Sequence, residues 1–415
     1  MYSEREVLTF VEENDVKFVK LTFCDLFGGL KNISILADQL PRAFSNGFGI
    51  DGGAAFGLAE EGDLFLVPDP STLVVLPWRP QTGRVARLFC GVRRADGTPF
   101  EGDGRAILQK TCARAASEGL CFGVGSECEF YLFETDERGL PQKIPHDCAG
   151  YLDPSPMDKG ENVRRDICLT LEQMGVSPVS SQHKQGPGQN EITFVTADPL
   201  RAADNFLTFR SVVKVVSARS GLFASFMPKP LPEAPGSGLS VNFTLSKEGK
   251  NLFEEPDRAE NFCVGILARI REMTLFLNPT ANSYRRFGGT EAPAELGWSG
   301  TSRARLARIP GKTDPGGARV EIRSPDAACN PYLAFALLLE AGLEGMREGV
   351  KDFSAEESLP AGLGEAVALA RESAFVRRVL PEEILKGYFA AKEREWMRFR
   401  GSEKKFEDEI YFRGL

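Results

Sequence analysis

Four separated stretches of this 415-residue chain alternate polar and apolar side chains at period two, with charge concentrated on the polar side. In Gly125-Ser-Glu-Cys-Glu-Phe-Tyr-Leu-Phe133, Glu127 and Glu129 share one face while Ser126, Cys128 and Phe130 share the other. In 188–194, Glu191 sides with Gln189 and Thr193; in 239–245, Ser240, Asn242 and Thr244 oppose Leu239, Val241 and Phe243. From 318 to 323, Arg319, Glu321 and Arg323 oppose Ala318, Val320 and Ile322. The alternation predicts four strands, each with one apolar and one polar face. An antiparallel sheet with one wet face and surface ion pairs would produce this pattern. A half-barrel pocket lined by carboxylates and arginines explains it better. Glu127 and Glu129 repel unless a cation or a proton sits between them. Carboxylate oxygens are the ligands that magnesium and manganese prefer, usually beside substrate phosphates.

Around these strands the chain divides into two regions. Residues 3–15 predict a helix, capped by Ser3 with Glu6 three positions later. Strand signals follow at 18–24 and 30–35, joined by the Asp25-Leu-Phe-Gly-Gly turn, and again at 74–78 and 84–91. Asp51-Gly-Gly-Ala-Ala and 68–72 read as loops. The first hundred residues are therefore expected to form a small β-rich domain, with a boundary near Glu101-Gly-Asp-Gly. Beyond it, helical patterns at 105–118, 162–175, 202–219 and 259–276 interleave with the charged strands. Pro331 is placed to open a long apolar helix, and the tail from 361 is helical.

Composition narrows the chemistry. A formal net charge of −8 without a basic stripe argues against nucleic acid as a partner. No apolar run reaches membrane-spanning length, and Met-Tyr-Ser-Glu-Arg-Glu does not read as a signal peptide. Nine cysteines without CxxC spacing fit reduced thiols in a cytoplasm. The only histidines are His146 and His183, which excludes histidine-rich metal chemistry. Pro310-Gly-Lys-Thr lacks the earlier glycine of a phosphate-binding loop and is not read as one.

The ordered motifs Asp51-Gly-Gly, Pro68-Asp-Pro-Ser-Thr72, Phe100-Glu-Gly-Asp, Gly125-Ser-Glu-Cys-Glu-Phe, Gly150-Tyr151, Gly186-Pro-Gly-Gln-Asn-Glu191, Phe226-Met-Pro-Lys-Pro230, Gly236-Ser-Gly238, Asn278-Pro-Thr-Ala-Asn-Ser-Tyr-Arg-Arg286, Glu291-Ala-Pro, Arg308-Ile-Pro and Arg319-Val-Glu-Ile-Arg-Ser-Pro-Asp326 resemble the glutamine synthetase family, type I, over essentially the full length. The resemblance implies an α+β fold: an N-terminal β-grasp domain over 1–100 and a catalytic domain over 101–415 with a curved antiparallel sheet and helices. It also implies self-association into closed rings such as a dodecamer, with active sites between adjacent subunits. The implied reaction is ATP-dependent phosphorylation of a glutamate-like carboxylate, then attack on the acyl phosphate by ammonia or an amine.

Carried over position by position, the resemblance makes Glu127 and Glu321 ligands of the Mg²⁺ or Mn²⁺ ion serving ATP. Glu129 and Glu191 become ligands of the ion serving the acid and the acyl phosphate. Gly236, Arg286 and Arg323 fall where the substrate binds. Asn242, Arg308 and Arg319 fall at the nucleotide, and Arg303 at the transferring phosphoryl group. Asp51, Tyr151 and Glu291 match the ammonium pocket and its flap.

This chain departs from the family at the metal ligands. Gln182-His183-Lys184 stands where the family has His-His-Glu, so Lys184 takes a carboxylate ligand's place. Ser240 replaces a metal-binding imidazole, and Asn242 replaces one that touches phosphate. Pro235, Gly53 and Ala54 replace an asparagine and two serines. A protonated lysine cannot bind a metal, so Lys184 is expected to substitute electrostatically for one ion, with Ser240 weakening the other site. Lys184 turned to solvent by a shifted loop is the alternative. His183 is read as a satisfied structural histidine and Cys128 as a core residue. A member of this fold that has lost ligase chemistry, structural or ATP-independent, is the competing functional expectation.

Overall fold

The computed structural model describes residues 2–57, 61–289, 291–310, 317–349 and 357–415. Two sheets organise them. The first has six strands in the order Leu30–Leu36, Val16–Cys24, Arg84–Arg93, Asp63–Pro68, Phe48–Asp51, with Val74–Val75 on the Arg84–Arg93 edge. Its two central strands run parallel, Val19 opposite Ala86, and the hairpin partner of Val16–Cys24 is antiparallel. The helix Glu4–Glu13 has the expected capping box, with the Ser3 side chain and Glu6 satisfying each other's backbone N–H groups. It buries Val7 and Val11 in the core of this sheet.

The second sheet has ten strands. Its main path runs Trp298–Ser299, Ala307–Arg308, Val320–Ile322, Leu239–Lys247, Leu120–Thr135, Gln189–Phe194, Pro178–His183. The four predicted charged strands are contiguous within it. Their register sets Ser240 opposite Glu127, Asn242 opposite Glu321, and Glu191 opposite Glu129. On the other face Cys128, Phe130, Ile192, Val241, Phe243, Val320 and Ile322 are all fully buried. They belong to one core shared with the helices Pro199–Arg219, Pro256–Leu277 and Pro331–Glu348. The last two of these cross tightly: a Cβ added at Gly265 would sit 2.5 Å from the Ala341 carbonyl oxygen. Pro331 does open its helix, with Asn330 as N-cap accepting from Tyr332 and Leu333. No described helix is long and apolar enough to cross a membrane.

Several local expectations are corrected. Asp51-Gly-Gly-Ala-Ala is not a loop: Gly52–Phe56 forms a short helix, capped by the Asp51 carboxylate on the Ala54 N–H at 2.9 Å. Pro178–His183, read as no element, is a strand on the edge of the large sheet. The expected strand over 318–323 is regular only at Val320–Ile322, and that over 74–78 only at Val74–Val75. Most of the Pro310-Gly-Lys-Thr stretch lies outside the described residues.

Candidate active site

The polar face of the large sheet is buried. Glu129, Glu191, Glu321, Arg308 and Arg323 are each less than a tenth exposed, so the wet-face explanation fails and the charged strands line a pocket. One half of it is built around Lys184, which follows the edge strand Pro178–His183. The Lys184 N–H donates to the Gln189 carbonyl at 2.8 Å, closing the tight 184–189 loop. That loop turns at Gly188, whose φ of +67° and 2.6 Å approach of a notional Cβ to the Leu132 carbonyl admit only glycine. His183 anchors the loop from behind. One ring nitrogen is 2.9 Å from Asp147 and the other 2.7 Å from the Lys184 carbonyl oxygen.

The Lys184 side chain therefore points inward. Its Nζ lies 3.0 Å from Glu129, 3.3 Å from Glu191 and 3.8 Å from Glu291, and the residue is 6% exposed. The turned-out alternative is excluded by this geometry. Burial alone would favour neutral lysine, but the three carboxylates outweigh it and hold the ammonium charged well above its ordinary range. The Glu191 pKa rises too: burial raises it, Lys184 opposes that, and the nearby Glu129 and Glu127 add to the rise. The two shifts are compatible, because Lys184 offsets only part of the surrounding negative charge. Two amides complete this half. Gln182 donates to Glu191 at 2.7 Å, and the Gly238 N–H donates to Glu129 at 2.7 Å.

The other half is built around Glu321. Arg308, directly opposite in register, donates to it at 2.8 Å, and Arg323 Nε lies at 3.6 Å. Burial raises the Glu321 pKa and Glu127 adds to the rise, while Arg308 and Arg323 pull it down. Asn242 donates to Glu127 at 3.2 Å and accepts from Arg319 at 3.2 Å. Ser240, opposite Glu127, lines the cavity between the halves. That cavity is about 20 Å³, room for about one water. Five carboxylates line it (Glu127, Glu129, Glu191, Glu291, Glu321) with three cations (Lys184, Arg303, Arg323), and Arg308 adds a fourth through its bond to Glu321.

Of the site residues named from sequence, Glu127, Glu129, Glu191, Glu291, Glu321, Lys184, Ser240, Arg303 and Arg323 line this one cavity. Asn242, Arg308 and Arg319 adjoin it through the bonds just described. The Tyr151 ring lies 5.8 Å from the Lys184 ammonium, and the Gly236 carbonyl accepts from Gln189. Two residues stand apart. Arg286 does not line the cavity, because its N–H groups go to the carbonyls of Ser237, Ser324 and Pro325. Asp51 lies on the edge strand of the other sheet as a helix cap. Gln182 and Gln185 were missed. Gln185 donates to Glu291 at 3.3 Å, and Gln182 could have been found by pairing its strand with Glu191.

A second acidic cluster does not compete with this one. Asp147, Asp158 and His183 lie within 4.8 Å of one another, but Arg164 takes Asp158, and His183, Lys159 N–H and Gly188 N–H take Asp147. His183 is satisfied and structural, as the sequence suggested. A roomier cavity, about 930 Å³, lies elsewhere, between the N-terminal helix and residues 71–75, where the charged Arg105 and Asp204 are already paired.

Comparison with known proteins agrees with the fold. The glutamine synthetase β-grasp domain matches residues 15–95 and the glutamine synthetase catalytic domain residues 101–411. A glutamine synthetase of Clostridium saccharobutylicum is 42% identical, covering 99% of this chain and 98% of the relative. One of Methanosarcina mazei is 43% identical over 96% and 95%. Among solved structures, GmaS in complex with ADP superposes with a TM-score of 0.86 at 28% identity, covering 97% of this chain and 98% of GmaS. The glutamine synthetase of Plasmodium falciparum shares the fold, with a TM-score of 0.87 at 22% identity over 99% of each chain. The chain belongs to the glutamine synthetase family, whose members are carbon–nitrogen ligases.

Proposed function

We propose that this protein is an ATP-dependent ligase that activates a glutamate-like carboxylate as an acyl phosphate and joins it to ammonia or an amine, using one divalent ion where two carboxylate-lined sites are implied. The observation that carries the reading is the Lys184 ammonium, seated 3.0–3.8 Å from three carboxylates. Those residues do not fit a second ion, since a fixed cation already stands among them. Glu127 and Glu321 do fit one Mg²⁺ or Mn²⁺, because they line one cavity and Glu127 is held by the Asn242 amide rather than by a described ion pair, with the Ser240 hydroxyl as a poor third donor. When bound, such an ion would neutralise nucleotide phosphate charge.

The protein's own residues then divide the work. Arg303, Arg308, Arg319 and Arg323 supply the positive charge that phosphoryl transfer requires at the nucleotide and the transferring group. Lys184 holds Glu129 and Glu191 in place and presents positive charge where the activated acid would lie. Arg323 and Gly236 contact the acid. Arg286 would join them only if ligand binding draws it from its backbone carbonyls. Glu291, held by Lys184, Gln185 and Arg323, shields the intermediate from water. Tyr151 contributes to the pocket for the incoming amine. Asp51 lies apart within one chain, so a neighbouring copy would supply it in a closed ring.

One observation favours a second reading, a family member without ligase chemistry: both halves of the site are already ion-paired and only about 20 Å³ lies between them. Counting Mn²⁺ by electron paramagnetic resonance, alongside amine-dependent ADP release, tests both. One tightly bound Mn²⁺ per chain is expected, rising to two in the Lys184→Glu, Ser240→His double variant. Two tight ions in the unmodified protein would falsify the single-ion reading. ADP release indifferent to every acid and amine tried would favour the second reading.

A further inference from the structure

Six arginines among the described residues are buried, and five of them are accounted for. Arg105, Arg164, Arg308 and Arg323 each hold a carboxylate, and Arg286 has three backbone carbonyls. Arg87 is the exception. On the strand Arg84–Arg93, with 8% of its surface exposed, it donates to the Thr208 hydroxyl at 2.7 Å and rests over the Phe89 ring at 4.2 Å. Its Nε has no acceptor, and no carboxylate among the described residues lies within ion-pair distance. The nearby Asp204 is held by Arg105 and the Tyr332 hydroxyl. A buried cation with so little compensation is costly unless a counter-charge reaches it. Its pKa is pushed down to about 10, burial outweighing the attraction of Asp204.

Arg87 faces a cavity of about 130 Å³ between the small sheet and the helix Pro199–Arg219. Lys20 and the exposed Arg79 also line it, with the hydroxyls of Thr22, Thr208 and Ser211, and Trp78 forms part of its wall. No Asp or Glu is among its described lining residues. Lys20 is bonded to Asn32 at 3.1 Å rather than to an acid, and burial followed by repulsion from Arg79 lowers its pKa. In a chain with a formal net charge of −8, three cations converging on one cavity without an acid is a departure that needs a counter-ion. We propose that this cavity binds a small oxyanion, held through carboxylate or phosphate oxygens by Arg87, Lys20 and Arg79, with the hydroxyls of Thr208 and Ser211 as further donors. Such a ligand would bridge the small sheet to a core helix of the large domain, at a site distinct from the Lys184 cavity.

Trp78 supplies a local probe. Succinate and, separately, inorganic phosphate would be titrated at low ionic strength while intrinsic fluorescence is followed in the full-length protein, with Trp78→Phe as the control. The expected result is a saturable change that Trp78→Phe abolishes, with Kd raised about tenfold or more by Arg87→Met and by the Lys20→Gln, Arg79→Gln double variant. The anion that saturates at the lower concentration assigns the ligand class. No saturable change with either anion, or a Kd unaltered in the variants, would overturn the proposal. Should Arg87→Met fail to fold, the Lys20, Arg79 double variant, altered toward the solvent side of the cavity, decides it.

Discussion

The two halves of the active-site cavity solve one electrostatic problem by different means. Around Glu321 the compensating guanidiniums come from neighbouring strands, and the register that pairs the backbones also sets the charges opposite one another. Around Glu129 and Glu191 the compensation comes from one flexible side chain on a loop, steered inward by the His183 anchor and the Gly188 turn. In the first half, among the described residues, Glu127 is hydrogen-bonded by the Asn242 amide and makes no ion pair. The second half has its cation built in. Carboxylates brought together by a sheet register thus do not define a metal site by themselves; what the adjoining loop carries decides it.

Removing the built-in cation should produce the largest effect. Lys184→Met leaves Glu129 and Glu191 buried and unpaired, and should destabilise the protein by about 3 kcal/mol or more in chelator. Much of that loss should return with excess Mn²⁺, measured by denaturant unfolding with and without the ion. Equal stability in both conditions would show that the two halves do not differ as described. Next is Glu321→Gln, which should lower Mn²⁺-supported turnover by about a hundredfold or more and also destabilise the fold, because buried Arg308 loses its carboxylate. A smaller effect is expected from Asn242→Ala. Losing its bonds to Glu127 and Arg319 should weaken nucleotide binding severalfold, on the order of 1 kcal/mol, seen by titration calorimetry.

The smallest expected effect is a pH slope. Burial disfavours charged His183, but its bonds to Asp147 and the Lys184 carbonyl outweigh that, and its pKa lies above the ordinary 6.5. Stability from this pair is therefore complete below 6.5 and is lost as pH rises through the folded pKa. Asp147, depressed to about 2 by the same contact against the effect of burial, loses its contribution only as pH falls from about 3.8 toward that value. His183→Gln should flatten the melting temperature against pH just above 6.5. A slope unchanged by the substitution would place the titrating group elsewhere.

Much of the large sheet was legible because period-two alternation survives burial. Cys128, Val241 and Ile322 identify the inner face whether the opposite face meets water or a pocket. Which strands adjoin was not legible, since pairing Glu191 with Glu129 depends on contacts across 62 residues of sequence. Gly52–Phe56 was missed because Gly-Gly reads as a breaker, whereas the Asp51 cap supplies the start that composition withholds. The edge strand Pro178–His183 was missed because Pro178 and the Ser180-Ser181 pair mask its period. For Arg286 the motif gives the position in the chain, while the backbone carbonyls of Ser237, Ser324 and Pro325 that take its N–H groups come from distant loops no local pattern announces.

The seating of Lys184 has one more consequence. A bound ion exchanges with its surroundings, so occupancy follows supply and chelators can remove it. An ammonium joined to the chain cannot be diluted, because its local concentration is fixed by the loop that carries it. Half of this cavity therefore keeps its positive charge whatever the metal supply, and on the proposed single-ion reading the Glu127–Glu321 half alone would be titrated by the environment.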